Sequence, residues 1–201
     1  MKIGVYGGTF DPVHFGHLIL AETCREICNL DAVWFMPAAV PPHKLNETIT
    51  PARQRIEMLK FAIAGNSRFR ISTLELDRKG PSFTVDTLTQ MKQEIPDAEL
   101  FLLIGADSLD DFPTWREPLQ ILNLATVVAV NRGRHSTDIE PFRAALGDEA
   151  AQQVLQVQMP AVDFSSTDLR ARAAAGRSIR YLTPQPVAMY LQQQGLYRDA
   201  Q

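Results

Sequence analysis

His14 and His17 stand three residues apart behind a glycine pair, in the stretch Gly7-Gly8-Thr9-Phe10-Asp11-Pro12-Val13-His14-Phe15-Gly16-His17. A glycine pair lets the backbone turn sharply and approach a ligand. A helix N-terminus after it presents unpaired N–H groups and partial positive charge. Together they describe an anion site. Two histidines three apart on a helix share one face and one end, so both can donate to oxygens of one phosphate chain. Metal ligation is the weaker alternative, because no carboxylate accompanies the pair as in H-E-x-x-H. The stretch is neither a Walker loop nor a G-x-G-x-x-G fingerprint, which counts against ordinary P-loop hydrolysis and hydride transfer.

A second cluster lies at Phe164-Ser165-Ser166-Thr167-Asp168-Leu169-Arg170. Ser165 and Asp168 have capping-box spacing, with Asp in place of Glu or Gln, so part of the cluster simply starts a helix. Ser166, Thr167 and Arg170 add hydroxyls and a cation one turn inside, a combination suited to a triphosphate. A phosphate nucleophile is already ionised near neutral pH, so group transfer to it needs no strong general base. It needs alignment for in-line attack and stabilisation of the negative charge on the departing group.

These residues must be carried by an ordered frame. Residues 2–6 alternate and break at Gly7-Gly8, predicting a short strand and a tight turn. Asp11 as N-cap and Pro12 in the first turn then predict a helix. Further strands are expected at 32–36, 69–76, 100–104, 126–130 and 154–158, and helices at 51–64, 84–94, 139–146, 167–175 and 185–194. The uniformly apolar run 100–104 reads as a central strand covered on both faces. Alternating strands and helices predict an α/β, doubly wound, mainly parallel Rossmann-like fold over a single domain, 1–201. Ligands of such sheets bind beyond the carboxyl ends of the strands. The first glycine loop, Gly105-Ala106-Asp107, Asn131-Arg132 and the segment 37–44 all follow predicted strands and can share that rim. Segment 38–50, with Pro41-Pro42-His43-Lys44, reads as a mobile active-site loop.

Composition narrows the classes. The chain has 201 residues, 45% of them hydrophobic, enough for a full core. Its 20 Lys+Arg against 23 Asp+Glu give a net charge of -3, without the basic excess of a dedicated nucleic-acid binder. No apolar run approaches the ~18 residues of a membrane span, and no leader pattern opens the chain, so a soluble, cytoplasmic protein is expected. Cys24 and Cys28 share one helical face and read as core packing.

With both motifs in place, the chain resembles the bacterial nicotinate-nucleotide adenylyltransferases of the H-x-G-H nucleotidyltransferase superfamily. The resemblance rests on the Gly7 to His17 stretch, Pro41-Pro42-His43-Lys44, Ser82-Phe83-Thr84, Gly105-Ala106-Asp107-Ser108-Leu109, Trp115-Arg116 and the Ser165 to Arg170 cluster. It implies transfer of the adenylyl group of ATP, with Mg²⁺, to nicotinate mononucleotide, giving deamido-NAD and pyrophosphate. It implies that His14 and His17 contact the ATP phosphates and stabilise the transition state, with Gly8, Thr9 and Phe10 lining the nucleotide cleft. Ser166, Thr167 and Arg170 would hold the triphosphate, Gly105 and Asp107 the adenylate and ribose, and Lys44, Thr84 and Trp115 the acceptor. Phe164 and Leu169 stand where the last motif often has isoleucine. The resemblance assigns no direct metal ligand and is compatible with a homo-oligomer. Phosphopantetheine adenylyltransferases and cytidylyltransferases share the first motif, so the acceptor rests on the other segments. A non-catalytic nucleotide sensor is the rival of another class. Aminoacyl-tRNA synthetases of class I are disfavoured by the lack of a K-M-S-K-S-like segment.

Overall fold

The computed structural model describes residues 1–39, 49–78, 80–133 and 137–197. The chain runs β1 (Lys2–Gly8), α1 (Phe15–Ile27), β2 (Ala32–Pro37), α2 (Ala52–Ile63), β3 (Phe69–Ile71), α3 (Leu74–Asp77) and α4 (Thr84–Glu94). It continues through β4 (Glu99–Gly105), α5 (Asp107–Asp111), a 3₁₀ turn (Phe112–Thr114), α6 (Pro118–Leu124) and β5 (Thr126–Arg132). The last elements are α7 (Glu140–Leu146), α8 (Asp148–Gln152), β6 (Val154–Met159), α9 (Ser166–Ala174) and α10 (Gln185–Gln193).

The six strands form one sheet in the order β3-β2-β1-β4-β5-β6, and every pairing is parallel. The expected doubly wound architecture is therefore present. Its two cores follow from strand periodicity, since alternate side chains leave opposite faces. Leu100, Leu102 and Ile104 of β4 join Ile3 and Val5 in a core with Leu88 and Met91 of α4 and Ile121 of α6. Phe101 and Leu103 join Val33 and Phe35 in a second core with Leu20 and Cys24 of α1, Met58 and Leu59 of α2 and Leu191 of α10. Burying side chains of this size contributes about 1.5–3 kcal/mol each. The apolar run of β4 is thus read correctly as a central strand.

Three local expectations are corrected. The glycine pair does not end β1: Gly7 and Gly8 pair with Met36 and Pro37, and the Gly8 carbonyl accepts the Ala38 N–H at 2.9 Å. Asp11 does not cap α1, and Pro12 is not in its first turn; the N-cap is His14. The Asp11 carboxylate is already engaged, accepting the Thr50 N–H at 3.1 Å and the Tyr197 hydroxyl. The strand expected over 69–76 stops at Ile71. The Ser72 N–H makes the last link to Phe35, and the chain then coils into α3 around the Thr73 carbonyl, which accepts from Leu76 and Asp77. Most of the segment expected as a loop over 38–50, with Lys44, lies outside the described residues.

Candidate active site

Strand order reverses between β1 and β4, and there the connections leave in opposite directions, which opens a crevice at the carboxyl ends. A cleft of about 980 Å³ occupies this place. Gly7, Gly8, Thr9, His14 and His17 line it from the end of β1 onward, and Gly105, Asp107 and Ser108 from the end of β4. Arg132 enters from the end of β5, and Ser165, Ser166, Thr167 and Arg170 from the start of α9. Ser82, Thr84 and Trp115 also line the cleft.

The two histidines form one unit. Their rings stack with centroids 3.8 Å apart and planes inclined by 28°. The Phe10 ring meets His17 edge-on at 5.1 Å, and Phe164 meets His14 at 5.4 Å. A Cβ on Gly16 would come within 3.0 Å of the His14 ring, so any other residue between the histidines would disturb the stack. His14 donates its main-chain N–H to His17 Nδ1 at 3.1 Å. That bond fixes the neutral His17 tautomer with its proton on Nε2. Burial, then the neighbouring His14 and Arg132, hold the His17 pKa well below the usual value. Burial, then Arg132, bring His14 down to about 4, against a smaller opposing effect of Asp168. At neutral pH the pair therefore presents N–H donors without net charge.

That depression has a sign that can be checked. A histidine protonated in the unfolded chain below 6.5 but neutral in the fold until about 4 makes the unfolded state bind more protons between those values. Above 6.5 it is neutral in both states and costs nothing; as pH falls below 6.5 the penalty grows and levels off below about 4. At pH 5 His14 alone should cost about 2 kcal/mol relative to pH 7.5. Urea unfolding at both values is expected to give a drop that shrinks by this amount in His14→Asn; an equal drop in both proteins would refute the assignment.

The start of α9 is built as the sequence pattern predicts. Ser165 is its N-cap; its hydroxyl accepts the Asp168 N–H at 3.2 Å, and the Asp168 carboxylate accepts the Ser165 N–H at 2.7 Å. This box orients the next residues. Ser166 Oγ donates to the Pro12 carbonyl at 2.9 Å, and Arg170 Nη1 donates to the Asp11 carbonyl at 2.8 Å. Residues 154 and 159 positions downstream of their partners are thereby tied to the histidine loop. Arg170 Nη2 also reaches Thr167 Oγ1 at 3.3 Å.

At the other end, Trp115 follows the 3₁₀ turn and packs on Phe112 with centroids 5.0 Å apart. Thr84 is the first residue of α4, and Arg116 lies 4.9 Å over the Phe83 ring. Ser82 Oγ accepts the Ala39 N–H at 3.1 Å, which ties this end to the exit of β2.

Most of the residues expected from sequence thus come together: His14, His17, Arg170, Gly8, Thr9, Gly105, Asp107, Ser166, Thr167, Thr84 and Trp115 line one cleft. Phe10 is corrected. Its side chain is 1% exposed and lies behind the wall, against Tyr6, Phe35 and His17, where it supports the histidine rather than lining the cleft. Lys44 lies outside the described residues.

Arg132 ends β5 on the expected rim, but its electrostatic influence on both histidines needs the third dimension. Glu75 lines the cleft from α3, where its buried carboxylate accepts the Thr87 hydroxyl at 2.9 Å. Its segment reads as strand in one dimension, and only the helical turn after Thr73 brings it inward.

Comparison with known proteins identifies the family and the fold. Residues 5–172 match the model of a family described as "Cytidylyltransferase-like". A protein of Thermomicrobium roseum is 43% identical over 200 residues, spanning 100% of this chain and 93% of that protein. One from Thermus thermophilus is 43% identical over 198 residues, spanning 98% and 100%. Both carry the name "Probable nicotinate-nucleotide adenylyltransferase". Among solved structures, the Plasmodium falciparum nicotinic acid mononucleotide adenylyltransferase complexed with NaAD superposes with a TM-score of 0.81 at 18% identity, covering 98% of this chain and 97% of that one. The same enzyme complexed with APC gives 0.78. At that identity the superposition speaks to fold alone.

Proposed function

The chain belongs to the cytidylyltransferase-like family, and on that premise we propose that it transfers the adenylyl group of ATP to nicotinate mononucleotide. The phosphate oxygen of the acceptor attacks the α-phosphorus, the bond to the bridging β-phosphate oxygen breaks, and pyrophosphate leaves with that electron pair. Deamido-NAD is the other product, so the reaction is a step of NAD synthesis. The observation that carries this reading is the convergence of the stacked histidines, the start of α9 and the Trp115 end in one cleft at the reversal of strand order. Relatives of that name align over nearly the whole chain, which supports one nucleotidyltransferase domain over 1–201.

In this reading His14 and His17 donate to the triphosphate and to the charge developing on the leaving group. Arg170 and Arg132 supply positive charge, while Ser166 and Thr167 add hydroxyl donors at the positive end of α9. Gly8 and Thr9 admit the nucleotide against the backbone, with Gly105 and Asp107 facing adenylate and ribose. Thr84 and Trp115 meet the acceptor, the indole stacking on the pyridine; Lys44 is assigned there by resemblance. Mg²⁺ enters as part of the ATP-Mg²⁺ substrate. Among the described residues no three His, Cys, Asp or Glu side chains gather as a cage. Mg²⁺ brought in with ATP is held chiefly by phosphate oxygens and water, its usual habit.

The test is pyrophosphate release from ATP-Mg²⁺ with nicotinate mononucleotide, nicotinamide mononucleotide and phosphopantetheine supplied separately. Release with the first is expected, and equal inactivity with all three in a folded sample would overturn the enzyme reading in favour of a nucleotide sensor. Trp115→Ala should raise the KM for the acceptor about tenfold, the scale of a stacking contact worth ~1.4 kcal/mol, and leave that for ATP nearly unchanged. Equal effects on both substrates would remove Trp115 from the acceptor site.

A further inference from the structure

Resting on the transfer reaction proposed above, we infer that Arg55 is a positioning residue for it, a buried guanidinium that fixes the phosphate-facing wall of the cleft from behind. Arg55 lies on α2 and is 2% exposed. Each of its nitrogens donates to a main-chain carbonyl: Nε to Thr50 at 2.9 Å, Nη1 to Thr9 at 2.8 Å and Nη2 to Ala38 at 2.9 Å. Thr9 and Ala38 line the cleft. The Thr50 N–H donates to the Asp11 carboxylate at 3.1 Å, and the Asp11 carbonyl accepts from Arg170 Nη1 at 2.8 Å. Three cleft residues, Thr9, Ala38 and Arg170, therefore hang on one network centred outside the cleft.

The chemistry of the group explains why arginine stands there. A planar fork with donors in fixed directions can bridge three carbonyls from separate stretches, whereas a lysine ammonium is a compact point charge on a flexible stem. Burying a cation is costly, and well-packed apolar residues in its place are often as stable or more so. A buried arginine is thus poorly explained by stability alone. Its counter-charge is close: the Asp11 carboxylate opposes part of the desolvation of Arg55, and the neutral Tyr197 hydroxyl donates to that carboxylate. What the network specifies is where the Thr9 backbone and the Arg170 guanidinium sit relative to the stacked histidines.

The experiment uses the full chain with Arg55→Lys and Tyr197→Phe, the latter removing a single hydroxyl from the same network. Thermal unfolding, calorimetry with ATP-Mg²⁺ and steady-state pyrophosphate release with nicotinate mononucleotide are measured for each. Misplacing phosphate-facing groups by around 1 Å costs up to about 10²-fold in rate, so Arg55→Lys should lower kcat by about 10- to 100-fold. It should also weaken ATP-Mg²⁺ binding several-fold while remaining folded at the assay temperature. Tyr197→Phe should shift both quantities in the same direction by a smaller factor. A merely structural role would lower the Tm and leave kcat and ATP affinity in place. A folded Arg55→Lys protein within twofold of wild type in both quantities overturns the inference; should that variant not fold, the same result for Tyr197→Phe does so. If wild type itself releases no pyrophosphate, the transfer reading fails, and calorimetry still decides: ATP affinity unchanged by the variants overturns the role of Arg55, and affinity weakened in folded variants supports it.

Discussion

His17→Ala is expected to lower turnover by roughly 10²–10³-fold, the scale for removing a preorganised donor aimed at developing charge, with a much smaller effect on ATP affinity. The split follows from geometry. His17 Nδ1 is already occupied by the His14 N–H, so the Nε2 proton is the group left to serve the cleft. The alanine also removes that local bond at the start of α1, which could lower activity by loosening the helix. His17→Asn separates the two effects, since its side-chain oxygen can still accept the His14 N–H but its amide stops short of the Nε2 position. Turnover should stay low in the asparagine variant although stability recovers. Because the neutral tautomer is the donor, kcat should show no histidine-dependent fall between pH 7 and 8.5. Turnover of His17→Ala within twofold of wild type would remove His17 from the mechanism.

Arg170→Ala should have the next largest effect, lowering kcat/KM for ATP by about 10²–10³-fold through loss of a charge-assisted contact to phosphate. Arg170 also holds the Asp11 carbonyl at 2.8 Å, so its removal frees the loop that carries the histidines. Arg170→Lys keeps the charge and loses the fork. It should recover part of the ATP affinity, seen as KM, while kcat stays depressed, because one ammonium cannot serve both a phosphate and the Asp11 carbonyl in fixed geometry. Full recovery of kcat by lysine would show that charge alone matters at this position.

Where sequence reasoning failed, it failed for identifiable reasons. Asp11 has the right type and place for an N-cap, but its carboxylate is claimed by Thr50 and by Tyr197, 186 positions away, and capping passes to His14. Glu75 falls in a segment whose composition suits a strand. The edge position of β3 leaves only three residues paired, and the chain is free to coil. Nothing in the residues around Arg55 marks it, because two of the three carbonyls it binds, those of Thr9 and Ala38, lie 46 and 17 positions away. Phe10 reads as cleft wall by its place in the motif, yet it turns beneath His17.

The amino-acid order by itself determined the alternation of elements, the central place of β4 and the adjacency of His14 and His17, because these depend on periodicity, local apolar content and helical spacing. It also assembled, through motif resemblance, the groups that meet in the cleft. Tertiary structure alone decided how they meet. The tie of α9 to the Asp11 and Pro12 carbonyls, the influence of Arg132 on both histidines and the bonds of Arg55 to Thr9 and of Tyr197 to Asp11 join residues 46 to 186 positions apart. Such contacts are set by the parallel crossovers and by burial, which lowers the local dielectric and gives each charge and hydrogen bond its strength.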